Sequence, residues 1–155
     1  MNPRIRPILL TACLIGCFAV IGLAQETEKR VKLKDLPPTV QATVKEVSKG
    51  ATLRGLAMET ENGKTFYEAE LMVNGHSKDV TIDPSGKVVT VEEQVALNSL
   101  PPAVKAEIVK QAGKGRIGIV ESVTENSALV FYEAHIKSGG KITEVKVSPE
   151  GKLIQ

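Results

Sequence analysis

Tryptophan is missing from the sequence, aromatic residues make up only 3% of it, and its two cysteines are Cys13 and Cys17. Both cysteines lie in an amino-terminal segment that we expect to be removed on export, so the mature fold cannot depend on disulfides. A core of aliphatic side chains must stabilise the protein instead. A chain of 155 residues is long enough to build one.

An excess of either charge is also lacking. Of the 20 basic residues, Arg4 and Arg6 lie in the segment to be removed, which leaves 18 basic residues (20 − 2) against 18 acidic residues. A neutral chain without a basic cluster has no electrostatic reason to bind nucleic acid or an anionic membrane surface. We therefore expect neither as a partner.

The amino-terminal segment has the layout of an export signal. Two arginines precede an apolar run over residues 8–23 that is too short for a typical transmembrane helix. Small residues at the end of the run suit signal peptidase, so residues 1–24 are predicted to be a signal peptide and Gln25 the first mature residue. This predicts a bacterial periplasmic or secreted protein whose mature part has no transmembrane span.

A lipid anchor is the alternative form of the exported protein. Residues 14–17 (LIGC) match a lipoprotein box, which would make Cys17 a lipidated amino terminus. The apolar residues 18–21 would then follow the anchor directly, where a polar tether is usual. For this reason cleavage before Gln25 is the preferred prediction.

Three sequence blocks occur twice in the same order. Residues 36–44 (LPPTVQATV) return as 100–108 (LPPAVKAEI), and 66–71 (FYEAEL) return as 131–136 (FYEAHI). The third block, IDPSGKV over 82–88, has its counterpart in VSPEGKL over 147–153. Such an ordered recurrence predicts that the mature chain is a tandem duplication.

Each copy is predicted to begin with a helix and to continue as strands. A proline pair opens a segment with apolar residues at helical spacing, and Gly50 and Gly113 supply plausible helix stops. The helical apolar faces are Val40, Val44 and Val47 in one copy and Val104, Ile108 and Ala112 in the other. Alternating residues and turn sequences such as Asn-Gly follow, which predicts an antiparallel meander of about four strands.

Alternation also predicts which side chains face the helices. In the first copy Tyr67, Ala69, Leu71 and Val73 are expected to face the helix, and in the second copy Tyr132, Ala134 and Ile136. The opposite face would then carry Phe66, Glu68, Glu70 and Met72 in one copy and Phe131, Glu133, His135 and Lys137 in the other.

The repeated LPPxV, FYEA and PxGK motifs resemble the PepSY-like family of exported bacterial proteins, often labelled β-lactamase-inhibitor-like. The resemblance covers residues 36 to 155 and implies an α+β fold: a tandem duplication of a helix packed on an antiparallel β-meander. It also implies that the two sheets join into one curved sheet with an open face. The expected division is a linker over 25–35, a first repeat over 36–95 and a second repeat over 96–155.

The resemblance implies a binding or inhibitory module without enzymatic activity. In the inhibitor that names the family, the open face grips an enzyme, so we expect an envelope or secreted protein as the partner. No residue role transfers from the family, and no cofactor is expected. A structural, self-assembling envelope protein, joined through the carboxyl-terminal strand, is the alternative function, and a small secreted hydrolase is the less supported one.

The candidate binding residues lie on the predicted open face. They are Phe66, Glu68, Glu70, Phe131, Glu133 and His135. The phenylalanines are candidate interface anchors, with cross-strand packing as the alternative interpretation. The charged residues, and His76 in a turn, are expected to be ordinary solvated groups, because two histidines without a mature cysteine do not suggest a metal or catalytic site.

Overall fold

The computed structural model of the protein describes residues 27–154. It is an α+β fold in which two helices pack on one antiparallel sheet of nine strands. The predicted signal peptide, Cys17 and Gln25 lie outside the described residues. Within residues 27–154, neither helix has the length and apolar character needed to cross a membrane.

Within the described residues, the secondary structure begins with a strand and contains two helices with similar surroundings. The helices are α1 (Pro38–Val47) and α2 (Pro102–Ala112), each preceded by a 3₁₀ turn, Leu33–Asp35 and Leu97–Ser99. The strands are β1 (Thr27–Arg30), β2 (Thr52–Glu61), β3 (Lys64–Val73), β4 (His76–Ile82), β5 (Val88–Gln94), β6 (Arg116–Glu125), β7 (Ala128–Ser138), β8 (Lys141–Val147) and β9 (Leu153–Ile154).

The strand order in the sheet follows the order in the chain. Each strand pairs antiparallel with the next one, so β1 and β9 form the two edges of the sheet. The segment 25–35, predicted as a linker, contains β1. This strand pairs with β2, with Arg30 opposite Ala57. The order of 3₁₀ turn, helix and four strands occurs twice, while the origin of the chain by duplication and the repeat boundaries stay predictions.

Both helices begin at the proline pairs. Pro37 and Pro101 occupy the position before the first helical residue, where a missing N–H costs little. Helix α2 ends at Gly113, which takes the positive φ of 53° that glycine tolerates best. Helix α1 ends at Val47 and is followed by a turn over residues 48–50, in which Gly50 takes a positive φ of 74°.

The hydrophobic core lies between the helices and one face of the sheet. The buried residues against α1 are Leu36, Val40, Val44, Leu56, Ala69, Leu71, Val80 and Ile82. Those against α2 are Leu100, Val104, Ile108, Val120, Ala134 and Val147. Val91, which packs against the first cluster, pairs with Thr124 on β6. Thr124 points to the same side of β6 as Val120, which belongs to the second cluster. Both helices therefore cover the same face of the sheet.

The predicted alternation of β3 and β7 is therefore in the correct register. Ala69 and Ala134, each 0% exposed, face the helices, and Tyr67 and Tyr132 pack against the two clusters. The residues between them point to the opposite side of the sheet, which no helix covers among the residues that the structure describes. We call this side the open face.

Candidate binding face

The open face carries a band of acidic side chains across five neighbouring strands. We define this carboxylate band by its members on β3 to β7: Glu68, Glu70, Asp79, Glu92, Glu121 and Glu133. Their order is a direct result of the register, because Glu70 pairs with Asp79 and Asp79 with Glu92. Glu121 pairs with Glu133 in the same way. Like charges placed opposite one another destabilise a sheet unless other groups compensate.

Several side chains on the open face are buried although no helix covers them. Ala57 is 0% exposed, Val123 is 1% exposed and Glu133 is 1% exposed. On a sheet face without a helix, burial of this degree requires that the long side chains of neighbouring strands cover each other. The expectation that Glu133 is an ordinary solvated charge is therefore wrong, because its neighbours exclude water from it.

Burial raises the pKa of one acid of the band on β3, Glu68, and of one on β5, Glu92. Loss of solvation, followed by repulsion from Glu59 and Asp79, raises the pKa of Glu68 from 4.5 to about 9. Loss of solvation, followed by repulsion from Glu121, raises the pKa of Glu92 to about 8. At neutral pH these two side chains are therefore protonated in the folded protein.

The remaining acids follow the same trend. Burial first, and the negative charge of Glu121 second, raise the pKa of Asp79 to about 7. Burial also raises the pKa of Glu121, against the lowering effect of the nearby His135. The band therefore contains groups that titrate near neutral pH and respond to any added positive charge.

Two cations of the chain compensate parts of the band. The Arg30 guanidinium on β1 forms an ion pair with Glu70, and it also lies near Glu28. The Lys146 ammonium on β8 lies 3.4 Å from Oε2 of Glu133. Both cations also act on the middle of the band, where Arg30 lowers the pKa of Asp79 and Lys146 lowers the pKa of Glu92, but loss of solvation outweighs their effect.

His135 lies between two buried carboxylates. Its Nε2 atom is 3.2 Å from Oε1 of Glu133 and 3.8 Å from Oε2 of Glu121. The hydrogen bond with Glu133 raises the pKa of His135, while partial burial opposes the shift. The prediction of a solvated His135 is wrong for the same reason as for Glu133: its side chain is only 21% exposed.

The two phenylalanines of the open face are not equivalent. Phe131 is 5% exposed, because it pairs with Val123 on one side and lies beneath the Lys146 ammonium, 4.9 Å from the ring centre. It is a packed residue, which agrees with the alternative interpretation of cross-strand packing and not with an accessible anchor. Phe66 is only half-buried and lines a shallow pocket of about 440 Å³ with Lys64, Thr65, Asp83, Pro84 and Val89.

Sequence reasoning missed half of the carboxylate band. Asp79, Glu92 and Glu121 lie outside the repeated motifs, although alternation along β4 and β5 assigns Asp79 and Glu92 to the open face. The strand alternation was thus the available signal. What it cannot give is the pairing across strands, which brings these acids next to Glu70 and Glu133.

Comparison with protein-family models and with characterised proteins finds no match. Comparison with solved structures finds several of the same fold. A protein of Bacteroides eggerthii, provisionally described as periplasmic, has a TM-score of 0.64 at 18% identity, over 77% of this chain and 86% of that chain. A DUF2874 family protein of Bacteroides ovatus has a TM-score of 0.61 at 22% identity, over 77% and 85% of the two chains.

A third structure bears on the predicted inhibitor-like fold. A BLIP-like protein of Bacteroides fragilis has a TM-score of 0.56 at 21% identity, over 77% of this chain and 84% of that chain. These proteins share the fold. At such identities the likeness concerns architecture alone, and the assignment to the PepSY-like family stays a prediction.

Proposed function

We propose that this chain is an exported, non-enzymatic binding module that holds a positively charged segment of a protein partner on its open face. The observation that carries the proposal is the carboxylate band, whose acids are partly buried side by side with few cations of the chain beside them. Placing acids together in this way is costly for folding. A cationic partner would offset that cost when it binds.

The dimensions and charge of the band suit a protein segment. Five strands about 4.8 Å apart give a band roughly 19 Å across, which exceeds the size of a single side chain. Lysine or arginine side chains of a partner would drive the release of protons from Glu68 and Glu92, because an adjacent positive charge lowers the pKa of a carboxyl. Binding is then coupled to proton release and weakens at high ionic strength.

The export prediction and the structural neighbours support an extracytoplasmic setting. The amino-terminal segment has the layout of a signal peptide, and the Bacteroides eggerthii neighbour is provisionally described as periplasmic. The BLIP-like description of the Bacteroides fragilis neighbour is in line with a protein partner. The open face, and not a fixed motif, would then carry the function.

Retention of periplasmic proteins on the immobilised chain tests the proposal. We expect a basic protein to be retained at 50 mM NaCl, to elute at 500 mM NaCl, and to be lost from an Asp79→Asn/Glu92→Gln variant. Both substitutions keep side-chain shape and remove the band's capacity for negative charge. Glu46→Gln on α1 is the matched control, since Glu46 is 70% exposed on the opposite side.

Equal retention by the band variant and by the Glu46→Gln control would contradict the proposal. A retained protein that does not elute with salt would also contradict it, because attraction to an acidic face is screened by ions.

Self-assembly through β9 is the second candidate function. Leu153 and Ile154 form the edge strand and are 41% and 39% exposed, which favours pairing with a second sheet edge. Size-exclusion chromatography of the protein alone distinguishes the two functions. An oligomer that dissociates in the Ile154→Pro variant would support assembly. A monomer would exclude it.

A further inference from the structure

We propose that Glu121, Glu133 and His135 form a binding site for a divalent transition-metal ion such as Zn²⁺. The ligands would be Nε2 of His135 and one oxygen from each carboxylate. The three residues come from adjacent strands, β6 and β7, and Glu121 lies directly opposite Glu133 in the sheet. The site lies on the open face, but the proposal does not rest on the proposed function, because metal binding can be measured on the protein alone.

The distances within the trio agree with one shared ion. All three ligand atoms lie within 4.8 Å of one another, and Nε2 lies 3.2 Å and 3.8 Å from the two carboxylate oxygens. Ligands at about 2.0 to 2.1 Å from a tetrahedral Zn²⁺ are roughly 3.3 Å apart. Small side-chain rotations would therefore bring the three atoms to the ion, with no change in the backbone register.

Burial supplies an observation independent of the distances. The side chains of Glu133 and Glu121 are 1% and 10% exposed, which is costly for carboxylates and is usual for metal ligands. Oε2 of Glu133 is fully buried and accepts no hydrogen bond in the part of the chain that the structure describes. The Lys146 ammonium, 3.4 Å away, compensates its charge electrostatically.

The ligand set indicates the class of ion. Imidazole nitrogen with carboxylate oxygens suits Zn²⁺ and its first-row neighbours, whereas Ca²⁺ and Mg²⁺ prefer oxygen ligands throughout. Three protein ligands leave one tetrahedral position for water or for an atom of another molecule. That position would point away from the sheet, on the side that the helices do not cover.

Binding would require two local changes. The Nε2 atom must give up its proton, so His135 would hold its remaining proton on Nδ1 instead of donating from Nε2 to Glu133. The Lys146 ammonium must withdraw from Glu133. The ring of Phe131, whose centre already lies 4.9 Å from Nζ, gives this ammonium an alternative partner.

Titration of the metal-free protein with ZnCl₂ tests the proposal, using protein purified from the periplasm and treated with a chelator. We expect one Zn²⁺ per chain, and a loss of affinity of at least about tenfold in His135→Ala and in Glu133→Gln. His76→Ala is the matched control, because His76 is the other histidine of the chain and is exposed at the start of β4. Its affinity should equal that of the unchanged protein.

Nuclear magnetic resonance of the unchanged protein gives a second measurement that does not depend on any variant folding. With only two histidines in the chain, both ring signals can be followed during the titration. We expect the His135 ring nitrogens to shift to the pattern of a metal-bound Nε2 with a protonated Nδ1, while those of His76 stay unchanged. An unshifted His135 at saturating Zn²⁺ would overturn the proposal.

A variant without the Lys146 ammonium, which competes with the metal ion for Glu133, provides a further test. Lys146→Gln takes away the positive charge beside Glu133, so we expect Zn²⁺ to bind about tenfold more tightly than to the unchanged protein. Three further results would overturn the proposal: no binding by the unchanged protein, equal losses in His76→Ala and His135→Ala, or no gain in affinity in Lys146→Gln.

Discussion

Phe131 points to the open face and is nevertheless almost completely buried. Its side chain points to the open face, as alternation along β7 predicts, and yet only 5% of it is exposed. Its neighbours Val123 and Lys146 cover it from the adjacent strands. Direction on a strand and accessibility are therefore separate properties, and only direction can be read from alternation.

Truncation of Phe131 should consequently destabilise the protein. We expect Phe131→Ser to lower the free energy of unfolding by about 3 kcal/mol or more, because a buried ring is lost and a polar hydroxyl takes its place. Phe66→Ser should cost clearly less, since Phe66 is half-buried at the rim of a shallow pocket. Urea denaturation of both variants checks this. Equal losses would show that Phe131 is as accessible as Phe66.

Glu68 should make stability depend on pH. Its pKa is raised from 4.5 to about 9 in the folded protein, so the folded chain retains a proton that the unfolded chain releases between these pH values. The contribution of Glu68 to stability is therefore fully present below about pH 4.5 and falls as the pH rises to 9. We expect Glu68→Gln to melt at a higher temperature than the unchanged protein at pH 9.

The difference caused by Glu68→Gln should disappear below about pH 4, where Glu68 is neutral in both the folded and the unfolded chain. Glu46→Gln is the control, because Glu46 is exposed on α1 and forms an ion pair with the exposed Lys49. A gain of equal size at about pH 4 and at pH 9 would show that it does not come from ionisation of Glu68.

At the scale of elements, each helix is held by a narrow apolar stripe. Val44 on α1 is 1% exposed and Ile108 on α2 is 0% exposed, and both lie against the sheet. We expect Val44→Asp and Ile108→Asp each to destabilise the fold by more than about 3 kcal/mol, because each would bury a carboxylate without a partner. Thermal melting followed by circular dichroism measures the loss.

Alanine on the other sides of the helices provides the comparison. Lys45→Ala removes an exposed side chain, and Lys105→Ala removes one exposed hydrogen bond to Asn98. Both should melt within a few degrees of the unchanged protein. If they lost as much stability as the two aspartate variants, the assigned helical faces would be wrong.

The helices and the strand register could be predicted because local rules decide them. The positions of Pro38 and Pro102 indicate where the helices begin, and alternation around Ala69 and Ala134 gives the correct faces. Strand β1 was missed, since residues 27–30 (TEKR) are charged and lack a strand pattern. Pairing with β2 makes this segment a strand, and such pairing is a property of the folded sheet.

The electrostatics of the open face could not be predicted from the sequence. The environment of Glu133 depends on Glu121 and Lys146, which lie on the two adjacent strands and outside the repeated motif that contains Glu133. Residue types indicated solvated charges, whereas cross-strand packing produces buried ones. The resemblance gave the α+β architecture correctly, but it gave no information about these acids.

At the scale of the whole molecule, the processing of the exported chain stays a prediction. We expect the mature protein to begin at Gln25, and the intact mass of protein purified from the native envelope measures this directly. A diacylglycerol-modified chain that begins at Cys17 would show that the protein is anchored in a membrane instead. The described residues 27–154 are common to both forms.

The neighbour-to-neighbour strand order described above has a consequence for how the molecule opens. Because every strand pairs only with those next to it in the chain, no strand needs a distant segment before it can pair. Thermal fraying should then advance inward from β1 and from β9, so that amide hydrogens exchange fastest at the two edges and slowest in the strands between them. The acids of the carboxylate band, which lie on β3 to β7, are thus the part of the molecule that stays assembled longest.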